Sequence, residues 1–280
     1  MNSIHEFERL HSDARRLHAS NFDPAGALAT ITRTRGSTYR RAGTSMLVHA
    51  DGSIVCALSG GCPQRDIVTR AQAVIESDTP LIAKYDRESG LDVLMEMGCG
   101  GELEVLIEPI ARAQDIHFLQ AIAKLQTQRA MGFVATVFAH EGLVLSPRPQ
   151  RMVWAGDVEW SDIRDVALAR QVMSVGLDLE AIVRTEVRRL QTSRGSVDVL
   201  FERLRPVHTL IVIGFNALSL ALADISARLG WNTLLVDHSD PWRSPPSSIA
   251  RGRTMLRVLP RPCSDKCRFK CRAAARSALH

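Results

Sequence analysis

Residues 208–237, HTLIVIGFNALSLALADISARLGWNTLLVD, read as strand, glycine, helix, strand and acid. His208 to Ile213 and Asn232 to Val236 are continuous apolar runs, the pattern of parallel strands covered on both faces. Ala217 to Arg228 supplies a helix between them, with Gly214 at the first turn and Asp237 closing the second strand. That order opens a dinucleotide-type βαβ unit. A doubly wound sheet needs more strands than the chain after Pro206 offers. The turn Ile213-Gly214-Phe215-Asn216-Ala217 also lacks the second glycine that lets a backbone approach a phosphate, so NAD(P) is not expected there.

Upstream the periodicity is mixed. Residues 3–20 carry a helical stripe (Ile4, Phe7, Leu10, Ala14, Leu17), broken by Asn21-Phe22-Asp23-Pro24. Gly26 to Arg33, Ser45 to His49 and Ser53 to Ala57 alternate as strands, the last two around Asp51-Gly52, a strong hairpin signal. Ile67, Ala71, Val74 and Ile75 mark a helix ending near Pro80, and Leu81 to Tyr85 and Glu102 to Ile107 read as strands. Ala113 to Arg129 is helical, Gly132 to Ala139 with Leu143 to Ser146 reads as a hairpin, Val158 to Val175 as a helix and Asp198 to Glu202 as a strand. The expected fold class is α/β: a mixed α+β domain over 1–205, a truncated Rossmann-like βαβ domain over 206–242, and a basic, unstructured tail over 243–280.

Composition narrows the function classes. An apolar fraction of 45% and a charged fraction of 23% are those of a globular protein. No apolar run reaches membrane-spanning length, and the first ten residues lack the order of a secretory signal. The expected compartment is the cytoplasm, with six free thiols. From Arg243 onward ten Lys/Arg face one acid, a local charge of +9 that leaves −4 for the rest, against +5 overall. A basic segment on a mildly acidic body is no whole-protein nucleic-acid footprint.

Two short loops carry the chemistry: Ser59-Gly60-Gly61-Cys62 and Gly98-Cys99-Gly100-Gly101. Glycines beside a cysteine permit a tight turn and close approach of another molecule to the thiol. Each loop lies at a strand end, so both can converge on one sheet edge. Between the first two strands lies the cationic, glycine-bounded stretch Arg35-Gly36-Ser37-Thr38-Tyr39-Arg40-Arg41-Ala42-Gly43. Arg35, Arg40 and Arg41 can pair with phosphate oxygens, and Ser37 and Thr38 can donate further hydrogen bonds. Cys56, between Val55 and Ala57, reads as core. Cys263, Cys267 and Cys271 lack a second ligand pair and sit among arginines, so no metal is expected there.

At these residues the chain resembles the XdhC/CoxI family, the xanthine dehydrogenase accessory factors. The likeness rests on Ala29 to Arg41 (ATITRTRGSTYRR), Gly43 to Leu58, both Gly-Cys loops, Glu104 to Pro109, Phe201-Glu202-Arg203 and Leu229 to His238. The resemblance implies an accessory protein that binds molybdenum cofactor and supports its sulfuration and insertion into a xanthine dehydrogenase-type molybdenum hydroxylase. It implies Arg35, Ser37, Arg40, Arg41, Ser59, Gly60, Gly61, Cys62, Gly98, Cys99, Gly100 and Gly101 as the cofactor site. Cys62 and Cys99 are then the thiols that touch the molybdenum or relay sulfur. The implied partners are the apo-hydroxylase and a cysteine desulfurase; self-association as a homodimer stays open. The alternative reading is an NAD(P)-dependent oxidoreductase using the βαβ unit. The chain departs from the family pattern at Pro63-Gln64, where an aliphatic residue and a glutamate are usual, at the Gly214 turn, and after Trp242.

Overall fold

The computed structural model describes residues 2–86, 101–128, 130–141, 148–156, 158–178, 185–193, 195–214, 216–238 and 253–258. It divides into two compact units, Met1–Pro206 and Val207–His280.

In the first unit, α1 (Ile4–Ala19) starts at a capping box: Ser3 Oγ accepts from Glu6 N and the Glu6 carboxylate accepts from Ser3 N. Phe7, Leu10, Ala14 and Leu17 form its buried stripe. There follow β1 (Gly26–Arg35), β2 (Ser45–His49), β3 (Ile54–Val55), α2 (Gly61–Ser77), β4 (Leu81–Tyr85) and β5 (Glu102–Ile110). These strands make an antiparallel sheet in the order β3-β2-β1-β5-β4. A 3-10 turn (Ala113–Ile116) then leads through α3 (His117–Gln128), β6 (Gly132–Glu141), β7 (Gln150–Ala155), β8 (Val158–Ser161), α4 (Val166–Leu177), β9 (Glu186–Thr192) and β10 (Gly195–Leu204). The second sheet runs β8-β7-β6-β10-β9, again antiparallel. Among the described residues, helix, three strands, helix, two strands thus occurs twice with one strand order. The unit is two halves of one topology.

Packing follows from period-2 alternation on strands buried on both faces. Ala27, Ala29 and Ile31 of β1 join Met46, Val48, Val105 and Ile107 beneath Ile67, Ala71 and Val74 of α2. Phe133, Ala135 and Val137 of β6, with Val197, Val199 and Phe201 of β10, pack under Leu168 and Val172 of α4. Between the halves, Leu28, Leu47 and Ile110 meet Val134, Val153 and Leu204, with Leu10 and Leu17 of α1 against Phe118, Ile122 and Leu125 of α3.

Buried charge also joins the halves. Arg151 of β7 grips both oxygens of Glu108 of β5, its Nη1 donating to Oε2 at 3.0 Å, while its guanidinium lies 4.0 Å from the Phe118 ring centre. Arg33 of β1 donates to Asp198 Oδ2 of β10 at 2.7 Å, and Arg189 of β9 donates to Asp198 Oδ1 at 2.8 Å. Hydrogen bonding from Arg189, with help from Arg33 and against the opposing effect of burial, holds the Asp198 carboxyl below the usual carboxylate range.

The second unit holds β11 (Thr209–Ile213), α5 (Ala217–Arg228), β12 (Asn232–His238) and β13 (Arg253–Val258), with β11-β12-β13 all parallel. Ser219, Ala223 and Ser226 are the buried positions of α5, and Leu235 is buried in β12. The mixed α/β class expected from the sequence is the one observed.

Three expectations need correction. The strand Arg253–Val258 stands inside 243–280, the stretch read as an unstructured tail; parallel pairing with β12 from Thr233↔Arg253 to His238↔Val258 overrides its weak periodicity. Val158 to Val175 is not one helix but β8 followed by α4, because Asp165 caps a new start, its Oδ1 accepting from Ala167 N and Leu168 N. The strand read over Ser53 to Ala57 is only Ile54–Val55, since Cys56 adopts φ 65°. The hairpin partner read at Leu143 to Ser146 lies outside the described residues.

Candidate functional site

The site grows from the ends of β1, β3 and β5. β1 and β5 run antiparallel with Arg35 opposite Glu102, so the stretch leaving β1 and the residue entering β5 share one edge of the sheet. Gly101 sits so close to the loop after β1 that a Cβ there would lie 2.0 Å from the Ser37 carbonyl oxygen and 2.6 Å from Thr38 Cγ2. Only glycine permits that approach. On the other side Arg40 Nε donates to the Ala57 carbonyl at 3.2 Å, two residues before Ser59. The cationic loop is thereby fastened to the approach to the first Gly-Cys loop and to the last residue of the second. Gly98, Cys99 and Gly100 lie outside the described residues.

The first loop is built around its glycine pair. Gly61 stands at φ 67°, a conformation that side chains disfavour, and the turn it makes starts α2. Cys62 therefore belongs to the first turn of α2 rather than to a loop, which corrects the reading of it as a loop residue. Gly60 caps the helix with no side chain to bond, no acid occupies the first turn, and a Cβ on Gly60 would meet nothing within 4 Å. Pro63, third in the helix, has no N–H, so the end offers the N–H groups of Gly61 and Cys62, which with the helix dipole favour negative charge.

Gln64 explains one departure from the family pattern. Its Oε1 accepts from Leu58 N at 3.1 Å and Ser59 N at 3.0 Å, while Nε2 reaches the Met46 sulfur at 2.8 Å. The side chain braces the loop backbone, a task that needs an oxygen but no charge. Asp66 accepts at Oδ2 from the Tyr85 hydroxyl at 2.7 Å and from Arg70 Nε at 2.6 Å, tying α2 to β4. Burial first, then that bond to Asp66, pushes the Tyr85 phenol well above its usual range.

The predicted cations divide. Arg40 is engaged by Glu6, by the Ala57 carbonyl and by the Tyr39 ring, 5.5 Å from its guanidinium carbon. Burial would raise the Glu6 carboxyl, but hydrogen bonds from Ser3 N and Arg40 outweigh it and hold the group below the usual range. Arg35 is 86% exposed, with Glu102 at 3.9 Å, and Arg41 and Ser37 are exposed as well. Ser59 is half-buried, its Oγ donating to the Gly60 carbonyl at 3.4 Å. Cys56 packs at the edge of the central core, as its core reading requires, and its thiol donates to the Glu6 carbonyl at 3.5 Å. Burial, then the Glu6 charge, pushes that thiol up. Sequence reading missed three contributors: Glu6, whose Ser3-x-x-Glu6 capping signal was visible, the Gln64 brace, and Tyr39, the aromatic in a polar loop.

The sequence pattern of the XdhC and CoxI family matches residues 23–86, which hold the cationic loop and the first Gly-Cys loop. A protein of Bacillus subtilis, described as a probable xanthine dehydrogenase subunit, is 27% identical over 218 residues, covering 77% of this chain and 59% of that protein. An uncharacterized protein of Escherichia coli, YqeB, is 38% identical over 82 residues, 29% of this chain and 15% of that one. In the crystal structure of a xanthine dehydrogenase from Bacillus halodurans the same fold covers 82% of this chain and 63% of that one, at a TM-score of 0.58 and 22% identity. The chain thus spans about three fifths of the Bacillus subtilis relative. Among the described residues no helix is long and apolar enough to cross a membrane.

Proposed function

We propose that this chain, whose residues 23–86 belong to the XdhC and CoxI family, binds molybdenum cofactor at the loop cluster of its first half. In this reading it supports sulfuration of the cofactor and its insertion into a xanthine dehydrogenase-type hydroxylase. The observation that carries the reading is the fastening of the cationic loop beside both Gly-Cys loops, through Ser37 against Gly101 and Arg40 against Ala57. The residues present fit an anionic ligand: exposed Arg35 and Arg41, and an uncapped helix start with open space beside Gly60.

When bound, the cofactor supplies a molybdenum centre held by a dithiolene on a phosphate-bearing pterin. Arg35 and Arg41 take the anionic end, and Ser37 adds a hydroxyl donor. Arg40 holds the loop in register through Glu6 rather than touching the ligand. Gly60 and Gly61 leave room over the backbone N–H groups at the start of α2, and Cys62 and Cys99 offer sulfur to the metal-bearing end. The apo-hydroxylase as recipient and a cysteine desulfurase as sulfur donor belong to the same proposal.

The geometry gives the oxidoreductase alternative less support. At the start of α5, where a pyrophosphate would sit, Asn216 Oδ1 already accepts from Ser219 N at 2.9 Å and Ser219 Oγ accepts from Asn216 N. The test is the molybdenum and pterin content of the purified chain after incubation with cofactor, for wild type and Cys62→Ala. The proposal expects wild type to retain both and Cys62→Ala to retain clearly less with its melting temperature kept. Equal retention, or none in wild type, would overturn it.

A further inference from the structure

We infer that Tyr39 is a stacking platform for the planar ring of the ligand, an inference that rests on the cofactor reading above. Tyr39 is 69% exposed at the tip of the cationic loop and absent from all three buried clusters, so it serves no core. Its ring is nevertheless held. The Arg40 guanidinium carbon lies 5.5 Å from the ring centre, and that guanidinium is fixed by Glu6 and by the Ala57 carbonyl. Thr38 Oγ1 donates to the Arg40 carbonyl at 2.8 Å, bridging the loop tip across Tyr39.

An aromatic ring oriented without being buried loses little freedom when a flat ligand stacks on it. Its loop neighbours state what else that ligand carries. Arg35 and Arg41 are exposed on either side of it in the loop, and the residues flanking it reach Gly101, through Ser37, and Ala57 before the first Gly-Cys loop, through Arg40. The matching chemistry is a planar nitrogen heterobicycle bearing an anionic group. Pterins and purine nucleotides share that description; the inference commits to the pterin.

The probe is pterin-6-carboxylate, whose own fluorescence reports binding to the full-length chain, with AMP as a competitor in a second arm. Tyr39→Leu is expected to weaken pterin binding about tenfold and Tyr39→Phe to leave it within about twofold, since stacking uses the ring and not the hydroxyl. Both variants are expected to melt with wild type because the side chain is exposed. Unchanged affinity in Tyr39→Leu overturns the inference, and so does a loss in Tyr39→Phe equal to that in Tyr39→Leu. AMP displacing the pterin at comparable concentration would assign the platform to a nucleotide base instead. Normal cofactor retention by Tyr39→Leu, beside the loss expected for Cys62→Ala, would sink the stacking role while the cofactor reading stands.

Discussion

The two halves of the first unit share a topology and differ at the corresponding helix start. In the first half α2 begins at Gly60 with no side-chain cap and no acid in its first turn. In the second half α4 begins at Asp165, whose carboxylate accepts from Ala167 N and Leu168 N. One sheet plan thus carries one open helix end and one closed by the protein's own carboxylate. Asp165 shows that such an end accepts a negatively charged oxygen, there on two N–H groups; in α2 the second of these positions is Pro63, which leaves the N–H of Cys62 for that role. The difference lies in the loops. The first half places Gly-Gly-Cys at its helix start and ties its cationic loop, through Arg40, to Ala57 three residues upstream of Gly60, and the second places only the segment 162–165 between β8 and α4.

The largest expected effect is on what holds the halves together. Glu108→Gln leaves the Arg151 guanidinium buried beside Phe118 without its charge partner, and is expected to cost about 3–5 kcal/mol in urea denaturation. Replacing both members by apolar residues of similar volume should cost much less. Equal losses in the single and the double variant would show that the pair does not couple the halves.

Next is the closed end. Asp165→Ala removes the cap of α4 and should cost about 1 kcal/mol without altering cofactor retention. A loss of retention in this variant would show that the second half takes part in the site, and would break the comparison.

A smaller effect follows from acid. Asp198 sits below the usual carboxylate range in the folded chain, so the stability it provides is present above that range and is lost as pH falls through its lowered value. Urea midpoints should therefore fall as pH drops below about 4, less steeply in Asp198→Asn. An identical slope in that variant would remove Asp198 from the account.

Much of this was legible in the sequence, for local reasons. The turn at Asp51-Gly52 was readable because Gly52 takes φ 81° and Asp51 Oδ1 accepts from Ser53 N, both short-range demands. α5 and the strands beside it were readable because long apolar runs have one period. β7, β8 and β9 were not: Val158, Trp160 and Ile163 mimic a helical stripe until Asp165 restarts the chain, and the Arg-rich β9 and β13 are strands only because partners pair with them. The members of the site could be picked out singly. Their assembly could not, since Ser37 meets Gly101 only through the register that sets Arg35 opposite Glu102. Nor was the shared topology visible, because the halves agree in strand order and not in loop residues.

The central claim is that the open end of α2 receives the anionic cofactor, and Gly60→Asp addresses it directly. At φ −114°, with nothing within 4 Å of a Cβ, the site accepts a side chain at a cost of no more than a few tenths of a kcal/mol. The new carboxylate would put a side chain and a negative charge into the open space beside Cys62 that the metal-bearing end of the cofactor is proposed to take. Molybdenum and pterin retained per chain should fall at least about tenfold in Gly60→Asp, with the melting temperature kept and Gly60→Ala close to wild type. Full retention of both by Gly60→Asp would contradict the account.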